Sequence, residues 1–163
     1  MKRFLLLIFL IPFFTVSQSN LDGYKYAYVP DIIYTDGRIN DQYGLSAEVR
    51  KLFREFRITS IDKSNLQDFL SKKNPCELLN VSLKHAPNGL WRQKVTIQLT
   101  NCLGIVVFSG SASAGNDMSS ATRDMRVAAE KVMKKGFKNY KFNIFRTPKL
   151  PEYKYDNDLG FDI

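Results

Sequence analysis

Two runs of alternating apolar residues, one on each side of Asn88-Gly89, constrain this chain more than any other feature. Leu79, Val81 and Leu83 precede the dipeptide, and Trp91, Val95, Ile97 and Leu99 follow it. A period of two marks a strand with one buried face, and Asn-Gly suits a hairpin because both residues tolerate positive φ. Side chains opposed across an antiparallel pair share a face, so odd numbers must oppose odd and the partner numbers must sum to an even value. The turn puts that sum near 177. A sum of 178 sets Cys76 directly opposite Cys102, on the face away from the core, whereas 176 misses by one pair.

Whether these two cysteines, the only ones in the chain, form a bridge depends on the compartment. Lys2 and Arg3 open the chain, and the run from Phe4 to Phe14 is apolar throughout, with Pro12 its one interruption. Thr15 and Ser17 then fit the small-residue positions for cleavage before Gln18, and Ser17 with Ser19 fit cleavage before Asn20. The run is well short of the ~20 residues that span a hydrocarbon core. No cysteine stands near the cleavage site to carry a lipid. Residues 1–19 therefore read as a signal peptide, and the mature protein is expected in the periplasm or outside the cell with no membrane anchor after cleavage. Disulfides persist there, so a Cys76–Cys102 bridge is expected as a structural staple. Nothing resembles the Cys-x-x-Cys spacing that activates a thiol for redox work.

The remaining pattern supplies the other elements. Tyr24 to Val29 is aromatic or apolar at nearly every position, as in a strand buried on both faces, and Pro30 stops it. A loop with Asp36-Gly37 follows. From Asp41 to Phe56 the apolar Leu45, Val49, Leu52, Phe53 and Phe56 form one helical stripe, with Arg50, Lys51, Arg54 and Glu55 on the other side. Residues 56–61 read as a strand. A short helix capped by Asp62 or Ser64 runs to Ser71 and buries Leu66, Phe69 and Leu70. Three strands follow, about 76–86, 90–101 and 105–114, the last two joined by a turn at Leu103-Gly104. A helix over about 119–136 closes the series, its stripe being Ala121, Met125, Ala128, Ala129 and Val132. The order βαβα-βββ-α predicts an α+β fold, a two-layer α/β sandwich in which a mixed sheet of about five strands carries helices on one face. Residues 20–137 are expected to form the single α/β domain and 138–163 an extended C-terminal tail, which either docks through Phe142, Ile144 and Phe145 or is directed away by Pro148 and Pro151.

The chemistry is spare. Even-numbered Lys84, Arg92 and Lys94 belong to the sheet face opposite the helices, beside Thr96, Gln98 and Thr100, and are the candidate partner-binding residues. Ile105 and Val107 join that face if the 103–104 turn has two residues. Gly110-Ser111-Ala112-Ser113-Ala114-Gly115 lacks the lysine of a phosphate loop and the spacing of a nucleophile elbow, and reads as small residues that let the last helix approach the sheet. His85 is the only histidine and has no companions for a zinc site or a catalytic set. Asn80-Val81-Ser82 matches a glycosylation sequon but falls inside a strand. No catalytic residue, metal site or cofactor is expected.

The formal charge of +8 is uneven. Residues 123–149 hold 9 basic and 2 acidic groups, a net of +7, and residues 150–163 hold 1 basic and 4 acidic, a net of −3. An acidic tail beside a basic helix can fold back as an electrostatic cover. Nucleic acid is not an expected partner of an exported chain; an envelope protein or an anionic polymer is.

The segment Tyr24 to Pro30, the helix ending Leu52-Phe53-Arg54-Glu55-Phe56, the hairpin ending Thr100-Asn101-Cys102-Leu103-Gly104-Ile105-Val106-Val107-Phe108-Ser109 and the Ala-rich last helix together resemble small periplasmic α/β envelope domains of the TolB amino-terminal-domain type. The resemblance covers about residues 24–137 and carries no catalytic residues over. It implies an exported, non-enzymatic envelope binding or assembly module; a small secreted hydrolase or enzyme inhibitor is the alternative class.

Overall fold

The computed structural model describes residues 21–31, 34–35, 38–39, 41, 44–87, 92–115 and 120–148. The leader, its cleavage sites, Trp91 and the acidic end of the chain lie outside these residues.

Ten elements follow one another: β1 (Tyr26–Tyr28), β2 (Tyr34–Thr35), β3 (Arg38–Ile39), α1 (Leu45–Glu55), β4 (Thr59–Ile61), α2 (Lys63–Lys72), β5 (Leu78–Pro87), β6 (Gln93–Thr100), β7 (Val106–Ala114) and α3 (Ala121–Gly136). A 3-10 turn, Pro75–Glu77, leads into β5. The long β5 organises the sheet. One side pairs antiparallel with β6, which pairs with β7; the other pairs parallel with β1 at Leu78 to Asn80 and with β2 at Lys84. β4 closes the far edge against β1. The expected α+β class with a mixed sheet and packed helices is what the chain forms.

The parity of the sequence decides the faces. Leu79, Val81 and Leu83 of β5 and Val95, Ile97 and Leu99 of β6 are buried, and the residues between them turn outward. α1 and α3 cover the buried face with Val49, Leu52 and Phe53 and with Met125, Ala128, Ala129, Val132 and Met133. Phe137, just past α3, stacks on Phe56 at 4.7 Å and meets Phe53 edge-on at 5.8 Å, locking the two helices together. The short α2 buries only Phe69, which meets Tyr26 edge-on at 4.7 Å. Tyr26 alternates with the buried Ala27, so this contact lies on the reverse side of the sheet, and Leu70 is left exposed.

Several elements depart from the pattern. Helix α1 starts at Leu45 rather than Asp41, whose carboxylate accepts the N–H groups of Leu45 (2.8 Å) and Ser46 (3.3 Å) and so anchors the first turn from outside it. Strand β4 begins at Thr59, because residues 56–58 are spent on ending α1. The loop around Asp36-Gly37 is flanked by the short antiparallel pair β2–β3.

The β5–β6 partners sum to 180, as in Asn80 opposite Thr100 and Pro87 opposite Gln93, and not to 178. Cys76 and Cys102 are nonetheless bridged, with Cα atoms 4.8 Å apart. They meet because neither is in a strand: Cys76 lies in the 3-10 turn, its N–H capped by Asn74 Oδ1 at 2.9 Å, and Cys102 lies in the turn after β6.

That turn also differs from the expected two-residue form. Asn101 N–H donates to the Ile105 carbonyl, enclosing Cys102, Leu103 and Gly104, and Gly104 takes φ 74°. A three-residue turn ending on a left-handed glycine needs a bulge to rejoin the ladder, and the register shifts between Leu99 and Thr100. The bulge sets exposed Val106 opposite Thr100 and packs Val107 against the core, so Val107 does not join the open face.

Docking through the apolar residues of the tail is not what the described residues show. Phe142, Ile144 and Phe145 remain 38, 60 and 94% exposed. Residues 138–148 run back to the N-terminal segment through polar contacts: Tyr140 OH donates to the Tyr24 carbonyl (3.0 Å), while Lys141 N–H and the Arg146 guanidinium donate to Asp22 (3.2 and 2.8 Å). Gly23, at φ 95°, makes room for them; a Cβ there would come within 2.6 Å of the Thr147 and Pro148 backbone.

Candidate functional site

The sheet face away from α1 and α3 collects two of the three predicted basic residues. Lys84 opposes Thr96 and Lys94 opposes Ala86, which sets the two lysines one pair apart on neighbouring strands, both exposed. Arg92 is exposed just before β6. Across β7 the face continues through Ser109, Ser111 and Ser113, opposite Gln98, Thr96 and Lys94. The surface is hydroxyl-rich, with lysines near one end.

β7 is one open edge of the sheet among the described residues, since it pairs only with β6; β4 is another. Its start is apolar: Leu103, Ile105 and Val106 are 43, 36 and 48% exposed. The turn that presents them is rigid. Buried Asn101 accepts the N–H groups of Leu103 (3.0 Å) and Ile105 (2.9 Å) through Oδ1, and the disulfide fixes Cys102 beside it. Sequence reasoning placed Ile105 on the open face but missed Leu103 and Val106, because only the bulge and the three-residue turn expose them together.

The remaining candidates settle into structural roles. His85 is half-buried, with Nε2 2.5 Å from Gln93 Oε1. The glycine-serine run lies on β7, where a Cβ on Gly110 would sit 2.8 Å from the Phe108 ring and 3.1 Å from Val132 of α3. A Cβ on Gly136 of α3 would come within 2.6 Å of the same ring, so the small residues do allow close helix-to-sheet packing. Asn80 lies inside β5 between β1 and β6, and its carbonyl accepts Thr100 Oγ1 at 3.3 Å. Among the described residues no three His, Cys, Asp or Glu gather as a metal site, and no helix is long and apolar enough to cross a membrane.

No protein-family model matches the sequence, and no curated protein does. Solved structures do match the fold. A dodecamer of a PelC variant from Paraburkholderia phytofirmans is similar with a TM-score of 0.50 at 16% identity, covering 70% of this chain and 87% of that one. A second PelC dodecamer from the same organism has a TM-score of 0.49 at 17% identity, covering 68 and 86%. At these identities the likeness is one of fold.

Proposed function

We propose that this chain is an exported, non-enzymatic binding and assembly module of the cell envelope, and that it works as a homo-oligomer joined through the β7 edge. The observation that carries the reading is the rigid apolar corner of Leu103, Ile105 and Val106 at the start of β7, whose outer edge is unpaired among the described residues. Natural sheets blunt such edges with charge, proline or a covering segment, and β7 has no charged residue and no proline. A second copy that continues the sheet or packs on the corner removes both the open ladder and the apolar surface.

Three further facts support the module. The disulfide fits an oxidising compartment and the leader pattern of residues 1–19. The histidine that a catalytic reading would use is engaged with Gln93. PelC, which shares the fold, is a dodecamer, so the architecture is compatible with homo-oligomers of many copies. The TolB-type resemblance points to the same class. Lys84, Arg92 and Lys94 are then the surface offered to an envelope partner or an anionic polymer, on the face left open when copies join edge to edge.

Light scattering coupled to size-exclusion chromatography of the mature chain tests this. The wild type should elute as a multiple of the protomer, and Val106→Asp should return it to the protomer with unchanged circular dichroism. A wild type that is monomeric at every concentration, or a Val106→Asp variant with the wild-type mass, overturns the reading.

A further inference from the structure

A groove of about 390 Å³ lies between the end of α1 and the β4 edge, away from the open sheet face and from β7. Arg50, Arg54, Arg57, Ile58, Thr59, Ser60 and Asp62 line it. Arg50 and Arg54 are one helical turn apart on α1, so both project from the same side. Arg50 is already occupied: it donates to the Val29 carbonyl at 3.0 Å, pairs with Asp31, and has Asp62 at 3.7 Å. Asp62, the one carboxylate among the lining residues, and Asp31 therefore both face one guanidinium. Arg54 and Arg57 are exposed and have no acidic partner among the described residues.

How Arg57 comes to be there is informative. Arg57 N–H donates to the Arg54 carbonyl at 2.9 Å and Ile58 N–H to the Phe53 carbonyl at 3.0 Å, which is the Schellman ending of a helix. The position after the cap must be left-handed, and Arg57 takes φ 61°, the one positive φ outside glycine among the described residues. Glycine is the usual occupant, and an ordinary side chain there costs about 1 kcal/mol or more. Buried Ile58 completes the motif below Phe53, so the fold needs the left-handed turn but not the arginine. Strain kept where glycine would relieve it is a mark of function.

The β4 wall adds donors. Thr59 N–H goes to the Lys25 carbonyl (2.9 Å), and the alternation of a parallel ladder then points Ser60 N–H off the open edge. Ser60 Oγ is buried without a hydrogen-bond partner among the described residues. Forked guanidinium groups beside hydroxyl and amide donors suit the oxygens of a carboxylate or phosphate. None of the exposed large apolar residues among the described positions lines the groove, so it lacks the apolar rim with which a protein enters a bilayer.

We infer that this groove is an oxyanion-binding site in which Arg54 and Arg57 grip a carboxylate or phosphate group of a soluble ligand against the β4 edge. The site stands apart from the assembly surface, and either reading can fail without the other.

The test uses the mature, oxidised chain and two probes, inorganic phosphate and galacturonate, followed by amide chemical shifts and calorimetry. Saturable shifts at residues 54–60 with at least one probe are expected, and the stronger probe tells phosphate from carboxylate chemistry. Arg57→Gly should raise the melting temperature while weakening binding about tenfold or more, the ordinary effect of losing a charged hydrogen-bond donor. Arg54→Gln should weaken it without the gain in stability, and a Lys84→Gln, Lys94→Gln double variant should bind as wild type. Wild-type affinity in Arg57→Gly, no saturable shift with either probe, or association only with anionic phosphatidylglycerol vesicles overturns the inference.

Discussion

Removing the Cys76–Cys102 bridge should destabilise the protein mainly through its unfolded state. The cysteines are 26 positions apart, and the loop-closure relation for that length gives about 3.5 kcal/mol at room temperature. The folded state has other means of holding both ends. Asn74 caps the Cys76 N–H, Asn101 organises the turn around Cys102, and the β5–β6 ladder runs from Asn80 to Pro87 without the sulfurs. A Cys76→Ser, Cys102→Ser variant should therefore keep its circular dichroism and lose about 3 kcal/mol in urea unfolding, or roughly 10–20 °C in melting temperature. Its m-value should rise, because an uncrosslinked chain exposes more surface on unfolding. A loss below about 1 kcal/mol with an unchanged m-value would show that the hairpin is already closed in the unfolded chain, and would refute the entropic account.

Three further outcomes follow from single contacts. Asn101→Ala strips two turn amides of their buried acceptor and should lower stability by about 1–3 kcal/mol; urea midpoints within error of wild type would contradict this. Gly23→Ala should release residues 138–148, because the new Cβ collides with the Thr147 and Pro148 backbone; faster hydrogen exchange at Lys141 and Arg146 is the readout, and unchanged protection is the contrary result. Burial, reinforced by the Asp22 charge, pushes the Tyr140 phenol from 10.0 up to about 12. The unfolded chain then holds fewer protons between those values, so stability falls as pH rises through that window, and Tyr140→Phe should flatten the fall; an equal slope in both proteins would remove Tyr140 as its source.

The alternation around Asn88-Gly89 made the faces of β5 and β6 legible, and with them the burial of Leu79, Val81, Leu83, Val95, Ile97 and Leu99 and the exposure of Lys84 and Lys94. Register was not legible to the same degree. Sliding one strand by two residues leaves every side chain on its face, so sums of 176, 178 and 180 satisfy the same pattern. The bridge formed through a different geometry from the one that predicted it, with both cysteines in turns outside the ladder. The apolar corner at Leu103 and Val106 was hidden for a related reason: a bulge inverts the alternation locally and leaves no periodic trace. Hydrophobicity misled at Phe142, Ile144 and Phe145, since the tail is received by Asp22 and Gly23, a carboxylate and a missing side chain. The arginine groove was the least legible, because it depends on a left-handed Arg57 where composition points to glycine.

Native mass spectrometry of the untagged protein recovered from the exported fraction tests the central claim most directly, because one spectrum reports processing, oxidation and assembly together. The account predicts a protomer lacking its first 17 or 19 residues and two hydrogens lighter than the reduced chain, present as a homo-oligomer that Val106→Asp dissolves. A protomer that retains its leader, carries two free thiols or flies only as a monomer would contradict it.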